Sequence, residues 1–122
     1  MSTALISAFL RFTPTTGGPV ESPGTMSLSR SVSGVTFINR KQTIANSATA
    51  LDLGNVSTPG LCWMRNNSTQ YYVEIRSGAG GADLLKLKPG DVQAFRFTSD
   101  AVPYGICENA AGAEIEYLLL PD

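Results

Sequence analysis

The chain has 122 residues, of which 43% are hydrophobic and 16% charged, and nine Lys and Arg against ten Asp and Glu give a net charge of −1. This length suits one domain with its own core, and the balanced charge disfavours the basic surface that nucleic-acid binding needs. The sequence has no histidine, which removes the commonest general base and the Ser–His and Cys–His pairs. A non-enzymatic protein without catalytic residues, metal or cofactor is therefore expected.

The cysteine spacing disfavours a zinc site, and the hydropathy of the N-terminal residues disfavours a membrane span or a secretory signal. Cys62 and Cys107 lie far apart without CxxC spacing, so we expect buried thiols rather than zinc ligands, with a disulfide between facing strands left open. The apolar run from Ala4 to Leu10 is too short for a membrane span and follows no basic residue. Neither a membrane partner nor a secretory signal is expected.

Strand-like segments follow one another along the chain, beginning with Leu5–Phe12. The next segment, Thr13–Gly24, contains Pro14 and Pro19 and is predicted to be an exposed loop or arm, because Pro and Gly interrupt regular structure. The further strand candidates are Thr25–Arg30, Val35–Ile44, Thr49–Leu53, Leu61–Arg65, Tyr71–Arg76, Leu84–Lys88, Val92–Phe97, Val102–Cys107 and Ala113–Leu120. About eight to ten strands are expected, with boundaries uncertain by about 2–4 residues.

Apolar residues alternate with polar ones in these segments, and none carries the i, i+3, i+4, i+7 spacing of an amphipathic helix. One face of each strand is therefore expected to be buried, as in two sheets packed face to face. We predict an all-β fold without a long helix, an antiparallel β-sandwich of jelly-roll type formed by a single domain over residues 1–122. The predicted core consists of Tyr71, Val73, Ile75, Leu85, Leu87, Phe95, Phe97, Ile115, Tyr117 and Leu119.

Turn-forming residues predict two hairpins. Ser31–Gly34 separates two of the strand candidates and has the composition of a tight turn. In Lys88-Pro89-Gly90-Asp91, proline presets its own φ and glycine supplies a positive φ. We therefore expect Thr25–Arg30 to pair with Val35–Ile44, and Leu84–Lys88 to pair with Val92–Phe97.

Surface candidates are few and lie on strands. Trp63 shares a strand face with Arg65 and is either an interface hot spot or a core residue, two alternatives of equal weight. Leu118 and Leu120 point away from the predicted core, so the last strand is either buried on both sides or covered by another chain, which favours an oligomer. The interface candidates are Trp63, Arg65, Tyr72, Pro14, Pro19, Leu118 and Leu120.

The second part of the chain resembles a group of small virion proteins of tailed bacteriophages. The resemblance rests on DLGNVSTPGLCWMRNNSTQYYVEIRSG, starting at Asp52, on LLKLKPGDVQAFRF, and on the closing EIEYLLLPD. In that group, an LG-x-V-x-TPG turn precedes a strand with RN, a YVEI strand, an LKPG turn and a terminal EYLLL strand. These are strand and turn motifs, and the resemblance implies no catalytic residue.

The resemblance implies a β-sandwich component of the virion, assembled in the host cytoplasm and present in many copies. The expected role is that of a capsid cement (decoration) protein that binds the major capsid protein, and the low charge suits extensive protein–protein contact. A tail or tail-fibre domain that binds tail proteins or the host is the alternative. A carbohydrate-binding, lectin-like module is a second alternative.

Overall fold

A computed structural model describes residues 2–8, 17, 26–32, 37–97 and 102–122. All regular structure in these ranges is β, which confirms the all-β prediction. The strands are β1 (Ser2–Ala8), β2 (Met26–Val32), β3 (Ile38–Ile44), β4 (Thr49–Ala50), β5 (Pro59–Asn66), β6 (Val73–Arg76), β7 (Asp83–Leu87), β8 (Val92–Arg96), β9 (Tyr104–Cys107) and β10 (Ala113–Pro121).

The last eight strands form two four-stranded sheets. The first sheet has the order β3-β10-β5-β8 and the second has the order β4-β9-β6-β7. Every neighbouring pair within the two sheets is antiparallel. Among these eight strands, only β6 and β7 follow each other in the sequence and lie in the same sheet, so the chain passes repeatedly from one sheet to the other.

One hydrophobic core receives side chains from both sheets. Strand β10 illustrates the cause, because its residues alternate and Ala113, Ile115, Tyr117 and Leu119 are all buried. Seven of the predicted core residues are buried, and the other three, Tyr71, Leu85 and Phe95, are partly buried and pack against the same core. The core also contains Cys62 and Cys107, which were expected to be buried thiols, and it contains residues missing from the prediction, which are Ile38, Ile44, Leu51, Val56, Met64 and Ala113.

The turn at residues 88–91 forms as predicted, but the hairpin does not. Asp91 donates its backbone N–H to the Lys88 oxygen at 2.9 Å, and Gly90 has a φ of 81°. However, β7 pairs with β6 and β8 pairs with β5, so this turn carries the chain from the second sheet to the first. The reason is that Asn66, at the end of β5, forms two backbone hydrogen bonds with this turn. Its oxygen accepts from the Gly90 N–H and its N–H donates to the Asp91 oxygen, both at 3.0 Å, and these bonds hold the end of the turn on the first sheet.

The hairpin predicted around Ser31–Gly34 is also wrong. Ser31 lies inside β2, opposite Thr3 of β1, because β1 and β2 pair antiparallel from Ser2↔Val32 to Ala8↔Met26. Strand β3 instead pairs with β10. Strands β1 and β2 thus form a separate two-stranded sheet, which we call the β1–β2 ribbon. The predicted loop or arm over 13–24 lies, except for Gly17, outside the described residues.

A polar network closes one side of the core. The Tyr117 hydroxyl donates to the backbone oxygen of Asp52 at 2.7 Å and lies 3.0 Å from Oε1 of Gln42. The Gln42 amide in turn donates to the Ala50 oxygen at 2.8 Å, and Arg40 forms an ion pair with Asp52. These contacts bind the segment after β4 to the first sheet, so Tyr117 keeps its ring in the core without leaving its hydroxyl unsatisfied.

Candidate interaction surface

The outward face of the first sheet has apolar residues at one end of its middle strands, while Glu114 and Glu116 of β10 lie outward at the other end. Since side chains alternate along a strand, the burial of Cys62 and Met64 in the core places Leu61, Trp63 and Arg65 of β5 outward. Leu118 of β10 lies directly opposite Trp63. On the other side of Trp63 lies Ala94 of β8.

The β1–β2 ribbon covers one end of this outward face. Ala4 and Leu61 are each only 9% exposed, and the half-buried Ile6 and Leu120 pack against them. These four residues form a small cluster that is separate from the main core. A groove of about 160 Å³ remains between β1 and the sheet, and it reaches Trp63 and Ala94. We call the four-residue cluster the ribbon contact.

The other end of the outward face is open. Trp63 is 37% exposed, and Val92, which is 51% exposed, lies opposite Arg65 in the strand register. The Trp63 indole thus lies between Leu118 and Ala94 in the strand register and is still accessible, and an arginine lies two positions away. This composition is typical of a protein-binding hot spot. Of the two alternatives that the sequence left open for Trp63, a core position is therefore excluded. We call Trp63, Arg65 and Val92 the open patch.

Among the remaining interface candidates, Tyr72 is not part of this face. Tyr72 precedes β6 on the second sheet, where its ring lies 4.2 Å from Nζ of Lys86 and its backbone N–H donates to Glu108 at 3.1 Å. Pro14 and Pro19 lie outside the described residues. The structure therefore brings Trp63 together with Arg65, Leu118 and Leu120, and separates Tyr72 from them.

The outward face of the second sheet is charged. Arg76 pairs with Asp83 at 2.5 Å, and Lys86 lies 3.8 Å from Glu74. A hydrogen bond with Asp83 raises the pKa of Glu74, and the same bond lowers the pKa of Asp83. The outward face of the second sheet thus presents ion pairs, whereas that of the first sheet combines the apolar residues around Trp63 with charged residues such as Glu116 and the Arg96–Asp122 pair.

Neither cysteine has the properties of a reactive thiol. Cys62 and Cys107 are both buried and free, so the disulfide that the sequence left open is not formed. Burial raises the pKa of Cys62 to about 12, which keeps it protonated near neutral pH. Within the described ranges, no group of three or more His, Cys, Asp or Glu side chains is placed to hold a metal ion. The described part of the chain has no helix that is long and apolar enough to cross a membrane.

The ribbon contact is the feature of this face that sequence reasoning missed. The first strand was predicted over Leu5–Phe12 but runs over Ser2–Ala8. The apolar alternation of Ala4 and Ile6 was the available signal, although it does not tell which surface they cover.

Comparison with protein-family models, with curated proteins and with solved structures finds no significant match to this chain.

Proposed function

We propose that this protein is a non-enzymatic structural component of a bacteriophage virion, a capsid cement protein that binds the major capsid protein through the open patch. The observation that carries the proposal is the partly exposed Trp63, which shares its strand face with Arg65 and lies between Leu118 and Ala94 in the first sheet. Few side chains dominate most protein interfaces, and Trp and Arg are the types most enriched among them. The strand and turn motifs shared with small phage virion proteins give the partner class.

The arrangement of strands supports a shell component. We propose that the two sheets form a β-sandwich of jelly-roll type, in which eight strands divide into two antiparallel sheets of four. The strand orders β3-β10-β5-β8 and β4-β9-β6-β7 are consistent with that topology. Jelly rolls occur in viral capsid and lectin domains. The fold alone does not assign the role, so the argument depends on the surface.

The chemistry of the open patch defines the segment that it would bind. Trp63 and Val92 offer apolar area, and Arg65 offers a guanidinium that pairs with a carboxylate. The expected contact on the capsid protein is therefore an apolar side chain next to Asp or Glu on the outer surface of the shell. Many identical sites of this kind stabilise a shell collectively, even where each site binds weakly.

The proposal is tested with capsids assembled without this protein and purified free of tails. Co-sedimentation should show binding of the native chain and a loss of affinity of at least roughly tenfold for Trp63→Ser. Tyr72→Ser is the matched control, since it removes an aromatic side chain from the opposite sheet and should bind like the native chain. Equal binding by Trp63→Ser and the native chain would remove the open patch from the interface.

Cryo-electron microscopy of complete particles distinguishes the two virion locations. Density for this fold on the capsid surface, with Trp63 facing the shell, is the expected result. Presence of the protein in purified tails and its absence from tail-free capsids would overturn the cement role in favour of a tail component.

A further inference from the structure

We propose that the free edge of β8 is a dimer interface, at which two copies of this chain join their first sheets by antiparallel pairing of β8 with β8. A two-fold axis passes through this pair at Ala94. Ala94 then lies opposite Ala94 of the second copy, and Val92 lies opposite Arg96 of the second copy. This inference concerns the purified protein alone and does not depend on the virion role.

The first observation is that β8 has a free side. Within the described part of the chain it stands last in the strand order β3-β10-β5-β8 and pairs with β5 alone. Its residues are exposed except for Phe95, which is partly buried. An edge strand of this kind presents backbone N–H and C=O groups that a further strand can bind.

The pairing of β8 with β5 shows which backbone groups point to the free side. Beyond one end of the ladder, Phe97 donates its N–H to the Gly60 oxygen at 3.0 Å, and beyond the other end Asn66 donates to the Asp91 oxygen at 3.0 Å. Hydrogen-bonded and non-bonded pairs alternate along an antiparallel ladder. By this alternation, three residues of β8 belong to non-bonded pairs and direct their backbone groups away from β5, namely Val92, Ala94 and Arg96.

A two-fold axis at Ala94 gives every one of these outward backbone groups a partner. Ala94 exchanges hydrogen bonds with Ala94 of the second copy, and Val92 exchanges them with Arg96 of the second copy, on both sides of the axis. An axis at Gln93 or at Phe95 would leave one end of the strand without a partner in β8. The register centred on Ala94 is therefore the one that satisfies the whole edge.

The side chains of β8 also fit their own two-fold image. Val92 is 51% exposed, and in this register the aliphatic part of Arg96 of the second copy covers it. The Arg96 guanidinium stays paired with Asp122 of its own chain at 2.5 Å. Residues 92–95 carry no charge, so no like charges meet at the axis. This match of the strand with its own sequence identifies a second copy as the occupant.

The other three edges of the two large sheets are protected against such pairing. Strand β3 carries Arg40 and Lys41 near its middle, so a two-fold axis at Lys41 would bring like charges together. Strand β4 has only two residues. Strand β7 has a register shift at Asp83 and engages Asp83 and Lys86 in ion pairs. Charges, short strands and bulges are the means by which β proteins prevent edge pairing, and β8 has none of them between Val92 and Phe95.

The dimer would place two open patches on the same side of one continuous sheet, because the two-fold axis is perpendicular to that sheet. Trp63 lies opposite Ala94 on the neighbouring strand. The two Trp63 side chains are therefore three strand spacings apart, about 14 Å.

Exchange of charge at the axis tests the interface. The mass of the native chain by sedimentation equilibrium should rise from one chain towards two with concentration. Ala94→Lys and Ala94→Glu should each stay monomeric where the native chain is mostly dimeric, since like charges then meet, and an equimolar mixture of the two should dimerise again. Leu84→Lys is the matched control, because it adds the same charge at an exposed position on the β7 edge and should dimerise like the native chain.

Amide hydrogen exchange locates the contact. Where about nine-tenths of the native chains are paired, the amides of Val92, Ala94 and Arg96 should exchange about tenfold more slowly than in dilute solution. The amides of Gln93 and Phe95, which already bond to β5, should change less.

Three results would overturn the proposal: a monomeric native mass at all concentrations, a dimer that Ala94→Lys leaves intact, or a mixture of the two charged variants that stays monomeric. Protection of the same edge amides only after addition of capsid protein would also overturn it, because the edge would then bind a strand of that protein.

Discussion

Asn66 donates a side-chain hydrogen bond to the backbone oxygen of Leu87 at 2.9 Å and thereby joins β5 of the first sheet to β7 of the second. The same amide group donates to the Tyr71 oxygen at 2.9 Å, and the Asn66 side-chain oxygen accepts from the N–H of Ser68 at 2.9 Å. Asn66 is completely buried. A buried amide with all these groups bonded fixes the sheets relative to each other.

Replacement of this amide should be costly. Asn66→Ala leaves the buried Leu87 oxygen and the partly buried Tyr71 oxygen without this donor, so we expect the free energy of unfolding to fall by about 3 kcal/mol. Asn67→Ala is the matched control: its amide donates to Glu114 and Glu116 at 3.2 and 3.3 Å near the surface, and a loss below about 1 kcal/mol is expected. Urea denaturation measures both, and equal losses would contradict a special role for Asn66.

Gly90 should be sensitive to its backbone conformation rather than to space. Its φ is 81°, and an added Cβ would meet nothing within 4 Å. Gly90→Ala should therefore lower the free energy of unfolding by about 1 kcal/mol, the conformational cost of a positive φ. Gly78→Ala is equally open but has no positive φ, so a change within about 0.5 kcal/mol is expected. Thermal melts of the two variants should differ, and identical midpoints would refute this explanation.

The two phenylalanines near the end of β8 should differ in their contribution to stability. Phe97 is buried in the core, whereas Phe95 is partly exposed, and their rings meet edge to face with centroids 4.9 Å apart. Phe97→Ala should cost about 3–5 kcal/mol through the cavity that it leaves. Phe95→Ala should cost about 1–3 kcal/mol, because surrounding water can fill part of its site. Chemical denaturation that gives the opposite order would contradict the assigned burial.

Alkaline pH should destabilise the protein partly through Cys62. Burial raises the pKa of this thiol from 9.0 to about 12. Below pH 9 both the folded and the unfolded chain hold the proton, so the thiol adds no pH dependence. Between pH 9 and 12 only the unfolded chain loses it, and the free energy of unfolding falls by about 1.4 kcal/mol per pH unit from this group.

Cys62→Ala isolates this contribution. Burial is the main cause that raises the pKa of Tyr117 to about 12, and the charge of Cys62 is a minor cause, so Tyr117 contributes nearly equally to both proteins. The slope of unfolding free energy against pH should be shallower for the variant above pH 9 and the same as the native slope near pH 8. Parallel curves over the whole range would show that the thiol does not titrate differently on folding.

Local sequence determined which segments become strands and which of their faces are buried. In β10 the alternation of apolar and polar residues was sufficient to predict burial of Ile115, Tyr117 and Leu119. The turn at 88–91 was also predictable, since proline restricts φ and Gly90 can adopt the φ of 81° that the turn has. Both features can be predicted from neighbouring residues, because alternation places side chains on opposite faces of a strand and the turn residues restrict the local backbone.

Only the tertiary structure decided which strands pair and what covers the outward face. The turn at 88–91 forms, yet β7 and β8 lie in different sheets because the bonds that decide their placement come from Asn66, far away in sequence. Likewise, Ala4 reaches Leu61 only once β1 has folded over the first sheet. Every strand offers the same backbone donors and acceptors, so pairing depends on simultaneous burial of side chains from distant segments, which no local pattern encodes.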